Sequence, residues 1–213
     1  VAQPVLVSLN GEQGRQMDVF RKMMRFTSFI TFPLMFGFGL VAKEFIVIAI
    51  GEKWLASAEL IQILCVSGAT MPLATLFSNM IISKGRSGTF FWCTFSLGLV
   101  QIVTMLLIWQ WGIRSMVIAY MLINTSWLMV WLFFVRRLTG YGYWRFFCDV
   151  MPFALAAAGV MAVSYVATLS LGNLWALLLS RFAIAVLLYY IVMKVARVKI
   201  LKECERFLFR RKR

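Results

Sequence analysis

The residues able to do chemistry are few in this 213-residue chain, and their scarcity is itself informative. Histidine is absent, which removes the commonest general base and the commonest metal ligand together. Glu59 begins an apolar stretch near one of its ends, and Asp149 sits at the edge of another, so neither reads as deep. No carboxylate pair, Ser/His/Asp set, HExxH motif or glycine-rich phosphate loop can be assembled. No catalytic residue, metal or cofactor is therefore expected, and the chain reads as a non-enzyme. Cys65, Cys93, Cys148 and Cys204 lack metal-ligand spacing and read as small buried hydrophobes.

One charge does lie inside an apolar stretch. Arg181 falls roughly 10 Å along a helix axis from Leu174, at 1.5 Å per residue. Two readings are open. Its long side chain snorkels to headgroups, or its guanidinium faces a cavity and attracts an anionic group such as a phosphate. In the second case Leu177, Ala185 and Leu188 share its helix face.

The uncharged polar residues at depth are Gln62, Asn79, Gln101 and Asn124. They serve either as interhelical glue or as the lining of a hydrophilic path for a sugar. Pro33, Gly37 and Gly39 interrupt one apolar stretch and Pro72 another, so kinks are expected there, as in transporters whose broken helices line a cavity. Ala154, Ala158 and Ala162 form a small-residue stripe suited to close helix contact.

The elements that must position these residues follow from composition. Hydrophobic residues make up 62% of the chain and charged ones 14%, with a mean hydropathy of +0.85. That excludes a water-soluble globular enzyme, whose charged share is about 25%. A membrane span needs about 20 mainly apolar residues. Six stretches qualify: Phe26 to Ala42 (with a possible continuation over Phe45 to Ile50), Ala56 to Ser83, Gly88 to Trp109, Ile113 to Val135, Val150 to Leu171, and Leu174 to Met193. The expected fold is an all-α membrane protein of six transmembrane helices over residues 26–193. Trp54, Trp109, Trp111, Trp144 and Trp175 stand at stretch ends, where an aromatic belt puts them.

Loop charges supply an independent test. Arg15, Arg21, Lys22 and Arg25 precede the first stretch, Lys84 and Arg86 follow the second, Arg136, Arg137 and Arg145 follow the fourth, and a basic run from Lys194 to Arg213 follows the sixth. The opposite side holds only Lys43, Lys53 and Arg114. The positive-inside rule then makes both ends cytoplasmic. Residues 1–25 are expected to be a cytoplasmic segment in which Met17, Phe20 and Met24 recur at helical spacing. This is either an amphipathic surface helix or an extension of the first span. Residues 194–213 form a basic cytoplasmic tail. The net charge of +14 fits anionic membrane lipid and not nucleic acid. Val1 in place of Met, with no leader before the first pattern, reads as a piece of a longer protein.

The order of features is specific from Pro4 onward. It runs PVLVSLNGEQGRQMDVFRKMMRF, then TSFITFPLMFGFGLVAKEFIVIAIGEKW, then ASAELIQILCVSGATMPLATLFSNMIISKGRSG. The Pro4-containing start, Pro33-Leu34, Gly51-Glu52-Lys53-Trp54 and Gly85-Arg86 carry the match, over about the first 90 residues. This resembles the C-terminal half of the Wzx-like polysaccharide and lipopolysaccharide-biosynthesis flippases of the multidrug/oligosaccharidyl-lipid/polysaccharide (MOP) exporter superfamily.

The resemblance implies a two-lobe transporter of about twelve to fourteen spans working by alternating access. The chain then supplies one lobe, plus the trailing pair of a longer member, and the N-terminal lobe is the partner it lacks. The implied function is transfer of undecaprenyl-pyrophosphate-linked oligosaccharide across the bacterial inner membrane. A membrane-embedded glycan polymerase or ligase is the alternative from another class, disfavoured by the short outer loops. A multidrug exporter of the same superfamily is the nearer alternative, disfavoured because no membrane-buried acid is expected.

Overall fold

A computed structural model describes residues 2–169 and 173–196. The basic run beyond residue 196 and Gly172 lie outside the described residues. The fold is all-α. A short helix α1 (Ala2–Ser8) leads into α2 (Gln13–Ala49), α3 (Leu55–Ser83), α4 (Ser87–Ile108), α5 (Gly112–Thr139), α6 (Tyr143–Ala167) and α7 (Leu174–Val195). Helix α2 is the hub, packed against α3, α6 and α7, while α3 carries the contact on to α5 and α4.

Among the described residues, five helical stretches are long and apolar enough to cross a membrane. One of them, Ser87–Thr139, is 53 residues long. As a single helix it would run about 80 Å, against a hydrocarbon core of about 30 Å. It breaks at a 3-10 turn over Trp109–Trp111, followed by Gly112 at φ 83°, and its two arms pack against each other. A side chain is strained at that φ and glycine is not, so Gly112 lets the chain reverse where the sequence predicts a loop. Trp54, Trp109, Trp111, Trp144 and Trp175 all fall at helix ends with exposed rings.

Residues 13–25 do not form a separate surface helix. They are the first turns of α2, whose 37 residues run without interruption through Pro33, Gly37 and Gly39. Gly37 and Gly39 face other helices with room for a side-chain methyl. A Cβ on Gly39 would stand 3.5 Å from Cys65 Cβ, and one on Gly37 would stand 3.4 Å from Met161 Cε. Pro72 likewise lies inside a continuous α3. Of the alanine stripe of α6, Ala154 packs against the core. Ala158 and Ala162 are exposed, and the buried face of α6 runs through Phe153, Ala157, Val160 and Ser164. Phe153 and Val160 on that face bury more apolar surface than an alanine can.

Most of the largest fully buried side chains gather at one end of the bundle: Leu6, Phe20, Met24, Phe77, Met80, Ile81, Leu132 and Tyr141. The Phe20 ring meets Tyr141 edge-on at 5.6 Å and Phe77 at 6.0 Å, and Phe77 meets Phe146 at 5.6 Å. This is the end where the basic loops collect. Between the Tyr189–Phe29 and Arg181–Glu44 contacts, α2, α3 and α7 line a groove.

Candidate functional site

The groove has a volume of about 820 Å³ and is almost wholly apolar. Pro33, Gly37 and Phe38 of α2 form one wall, Ala185 and Tyr189 of α7 the other, with Cys65 of α3 at its base. Arg181 is the charged residue among its lining.

Proline explains part of this geometry. Pro33 has no N–H, so the carbonyl of Phe29, four residues earlier, loses its helical donor. The Tyr189 hydroxyl of α7 donates to Phe29 O at 2.9 Å and replaces it. The backbone group freed by Pro33 is thus answered across the groove by another helix, as membrane helices require. Tyr189 gave no sequence signal, because its partner is 160 residues away.

Arg181 is buried, with 8% of its side chain exposed. Its side chain is directed at Glu44 of α2 and at Thr168, the residue that caps α6. Its Nη1 donates to Glu44 Oε1 at 2.5 Å and its Nε to Thr168 Oγ1 at 3.0 Å. The Tyr165 ring lies 5.1 Å from the guanidinium carbon. Ala185 is buried on the same face of α7, and Leu177 and Leu188 are half-buried.

Glu44 corrects the expectation that no acid lies deep in this chain. Its side chain is 9% exposed, and its Oε2 is buried without a hydrogen-bond partner. Of the two readings of the first span, the continuation over Phe45 to Ile50 is the one observed: α2 runs to Ala49 and so includes Glu44.

The remaining polar candidates are not brought together, and none lines the groove. Gln62 donates to Gly39 O at 3.0 Å, which joins α3 to α2. Asn124 donates to Tyr120 O within its own helix. Asn79 and Gln101 are half-buried on α3 and α4. Of the positions expected to kink, Pro33 and Gly37 line the groove and Pro72 does not.

A second charged cluster closes the basic end. Asp149 is fully buried and accepts from Arg21 Nε at 2.8 Å, Arg25 Nε at 2.6 Å and the Tyr141 hydroxyl at 3.0 Å. Arg21 and Arg25, one helical turn apart on α2, thus clamp α6 to α2. Burial, with the Asp149 carboxylate beside it, pushes the Tyr141 phenol up. The sequence reading placed Asp149 at a membrane edge but named no partner for it.

Comparison with known proteins gives partial matches. Residues 1–59 match the model of the family described as "Polysaccharide biosynthesis protein". A protein from Klebsiella pneumoniae, named as an uncharacterized membrane protein in the cps region, is 30% identical over 83 residues, 39% of this chain and 17% of the relative. The teichuronic acid biosynthesis protein TuaB of Bacillus subtilis is 29% identical over 93 residues, 43% of this chain and 19% of its own. The lipopolysaccharide biosynthesis protein WzxC of Escherichia coli is 24% identical over 83 residues, again 39% and 17%. Each match therefore covers less than a fifth of the relative's length. No solved structure matches the chain. An all-helical bundle with membrane-length apolar helices and matches of this kind agree with the motif resemblance: the chain is similar to Wzx-like membrane proteins of polysaccharide biosynthesis.

Proposed function

We propose that the chain is the C-terminal part of a flippase that moves undecaprenyl-pyrophosphate-linked oligosaccharide across the bacterial inner membrane by alternating access. It is a transporter and not an enzyme. The observation that carries this reading is the match of residues 1–59 to a polysaccharide biosynthesis family, with a lipopolysaccharide biosynthesis protein among the relatives. The groove is consistent with it, since an apolar cleft headed by a guanidinium suits a lipid tail ending in a phosphate. On this reading both ends are cytoplasmic, the helices make six crossings, and a second lobe completes the path. An anionic headgroup moving outward is aided by an inside-negative potential, at about 2.3 kcal/mol per charge per 100 mV.

The drug-exporter alternative regains one argument, because Glu44 is a buried acid on a helix long enough to span a membrane. Its charge is already matched by Arg181, however, so it offers a cationic drug little net attraction.

Deleting the full-length gene separates these readings. Loss of a surface glycan, restored by the intact gene, supports the flippase. Unchanged glycan with raised drug sensitivity favours the exporter. In the restored strain Arg181→Gln is expected to abolish glycan export and Arg181→Lys to weaken it at unchanged expression, since Lys keeps the charge but loses the planar fork.

A further inference from the structure

The Glu44–Arg181 pair has a feature that a purely structural ion pair does not need. One carboxylate oxygen takes the whole interaction, and the other is buried without a donor. A buried carboxylate that keeps its charge normally has both oxygens satisfied. Arg181 is held differently: Thr168 and the Tyr165 ring keep it in place independently of Glu44, and it lines the groove while Glu44 does not. An anion entering the groove therefore meets the guanidinium with Glu44 behind it.

We propose that Glu44 and a phosphate group compete for Arg181, and that Glu44 takes up one proton when the phosphate displaces it. Before exchange the site holds one negative and one positive charge, and its sum is zero. Phosphate binding alone would leave two anions and one cation in a low-dielectric region. Glu44, deprived of Arg181 and already short of a donor at Oε2, is then an unpaired buried carboxylate, for which the neutral acid is the stable form. Uptake of a proton from water returns the sum to zero, and binding of the anionic headgroup becomes proton-coupled.

The other titratable groups around the pair do not compete for this role. Tyr189, Tyr190 and Cys65 line the groove and the Tyr165 ring lies against the guanidinium. Lys43, next to Glu44 on α2, and Glu52, Lys53, Glu59 and Arg114 are exposed. The identity of the phosphate carrier rests on the flippase reading; the exchange itself rests on the geometry.

The test uses the full-length protein in nanodiscs and a phosphodiester joining a farnesyl chain to glucose, because a diester lacks the second ionisation near about pH 6 that a monoester shows. Calorimetry in two buffers of different ionisation enthalpy counts protons taken up on binding. The expected count is about one, with affinity falling roughly tenfold per pH unit on the alkaline side. Glu44→Gln is expected to bind with no pH dependence, at least as tightly as the wild type does in acid. Arg181→Gln is expected to lose tenfold or more.

Binding without proton uptake by the wild type overturns the proposal, and that readout needs no variant to fold. A wild-type pH slope retained by Glu44→Gln overturns it too. Dimethyl phosphate distinguishes the sources: proton-linked binding of both diesters assigns recognition to the phosphate alone, and of the farnesyl diester only to a lipid headgroup. Failure of the flippase reading looks different, because glycan export then survives gene deletion while proton-linked diester binding persists.

Discussion

If Tyr189 replaces the hydrogen bond that Pro33 removes, the two residues must be energetically coupled although they lie on different helices. Tyr189→Phe deletes the hydroxyl that donates to Phe29 O at 2.9 Å and changes little else, because the ring stays to pack against Phe29 at 5.7 Å. The orphaned carbonyl then has no helical donor, since residue 33 is proline. A buried polar group left unpaired costs about 1–3 kcal/mol, while interhelical hydrogen bonds in membrane proteins average about 0.6 and reach about 1.7. The partly open groove favours the lower range, so a loss of about 1 kcal/mol is expected.

The same substitution in a Pro33→Ala background should cost much less. Alanine at this position restores the N–H, and Phe29 O then has a donor within α2 whether or not the tyrosine is present. The coupling energy from the double-mutant cycle should be close to the whole single-mutant effect, about 1 kcal/mol. Reversible unfolding of the full-length protein in mixed micelles, with denaturing detergent as the variable, measures all four corners. A Tyr189→Phe cost that is equal in both backgrounds would refute the idea that Tyr189 stands in for the missing amide.

Other expectations can be checked with simpler measurements. Asp149→Asn should lower the stability of the full-length protein by about 2–4 kcal/mol, below the largest buried-pair losses because Arg21 and Arg25 keep 31% and 43% of their side chains exposed; Tyr141→Phe, which removes one hydrogen bond, should cost about 1 kcal/mol. Reporter fusions at Gly11, Gly51, Gly85, Gly112 and Gly140 should alternate between the two sides of the membrane starting from the cytoplasm, and two neighbours on the same side would break the six-crossing model. Gly140→Ala should cost about 1 kcal/mol in the same unfolding assay, because φ there is 74° and the position caps α5 through a bond to Arg136 O. Glu59→Gln should leave stability within about 0.5 kcal/mol, since its contact with Arg114 is 4.0 Å long and exposed.

Properties set by neighbouring residues were legible before any fold was known. Apolar stretches of membrane length, tryptophans at their ends and basic residues in alternate loops are local features, because the free energy of placing a segment in lipid is summed along the segment itself. Helical class and the reversal at Gly112 follow from the same local terms. The family motifs are also contiguous and can be read in order.

The charged pairs were not legible, because each joins residues far apart in the chain. Arg181 and Glu44 are separated by 137 positions, and Asp149 and Arg21 by 128. Taken singly, Arg21 and Arg25 look like positive-inside bases and Asp149 like an edge residue. Which of them face one another depends on how α6 and α7 settle against α2, and that is set by packing of side chains such as Phe153, Ala157 and Ala185. A buried charge is tolerated only beside its counter-charge, so tertiary structure decided both where these residues lie and what Arg181 can do. The sequence showed that one guanidinium lies inside the membrane region; only the fold showed that it already holds an acid there, one with an oxygen to spare.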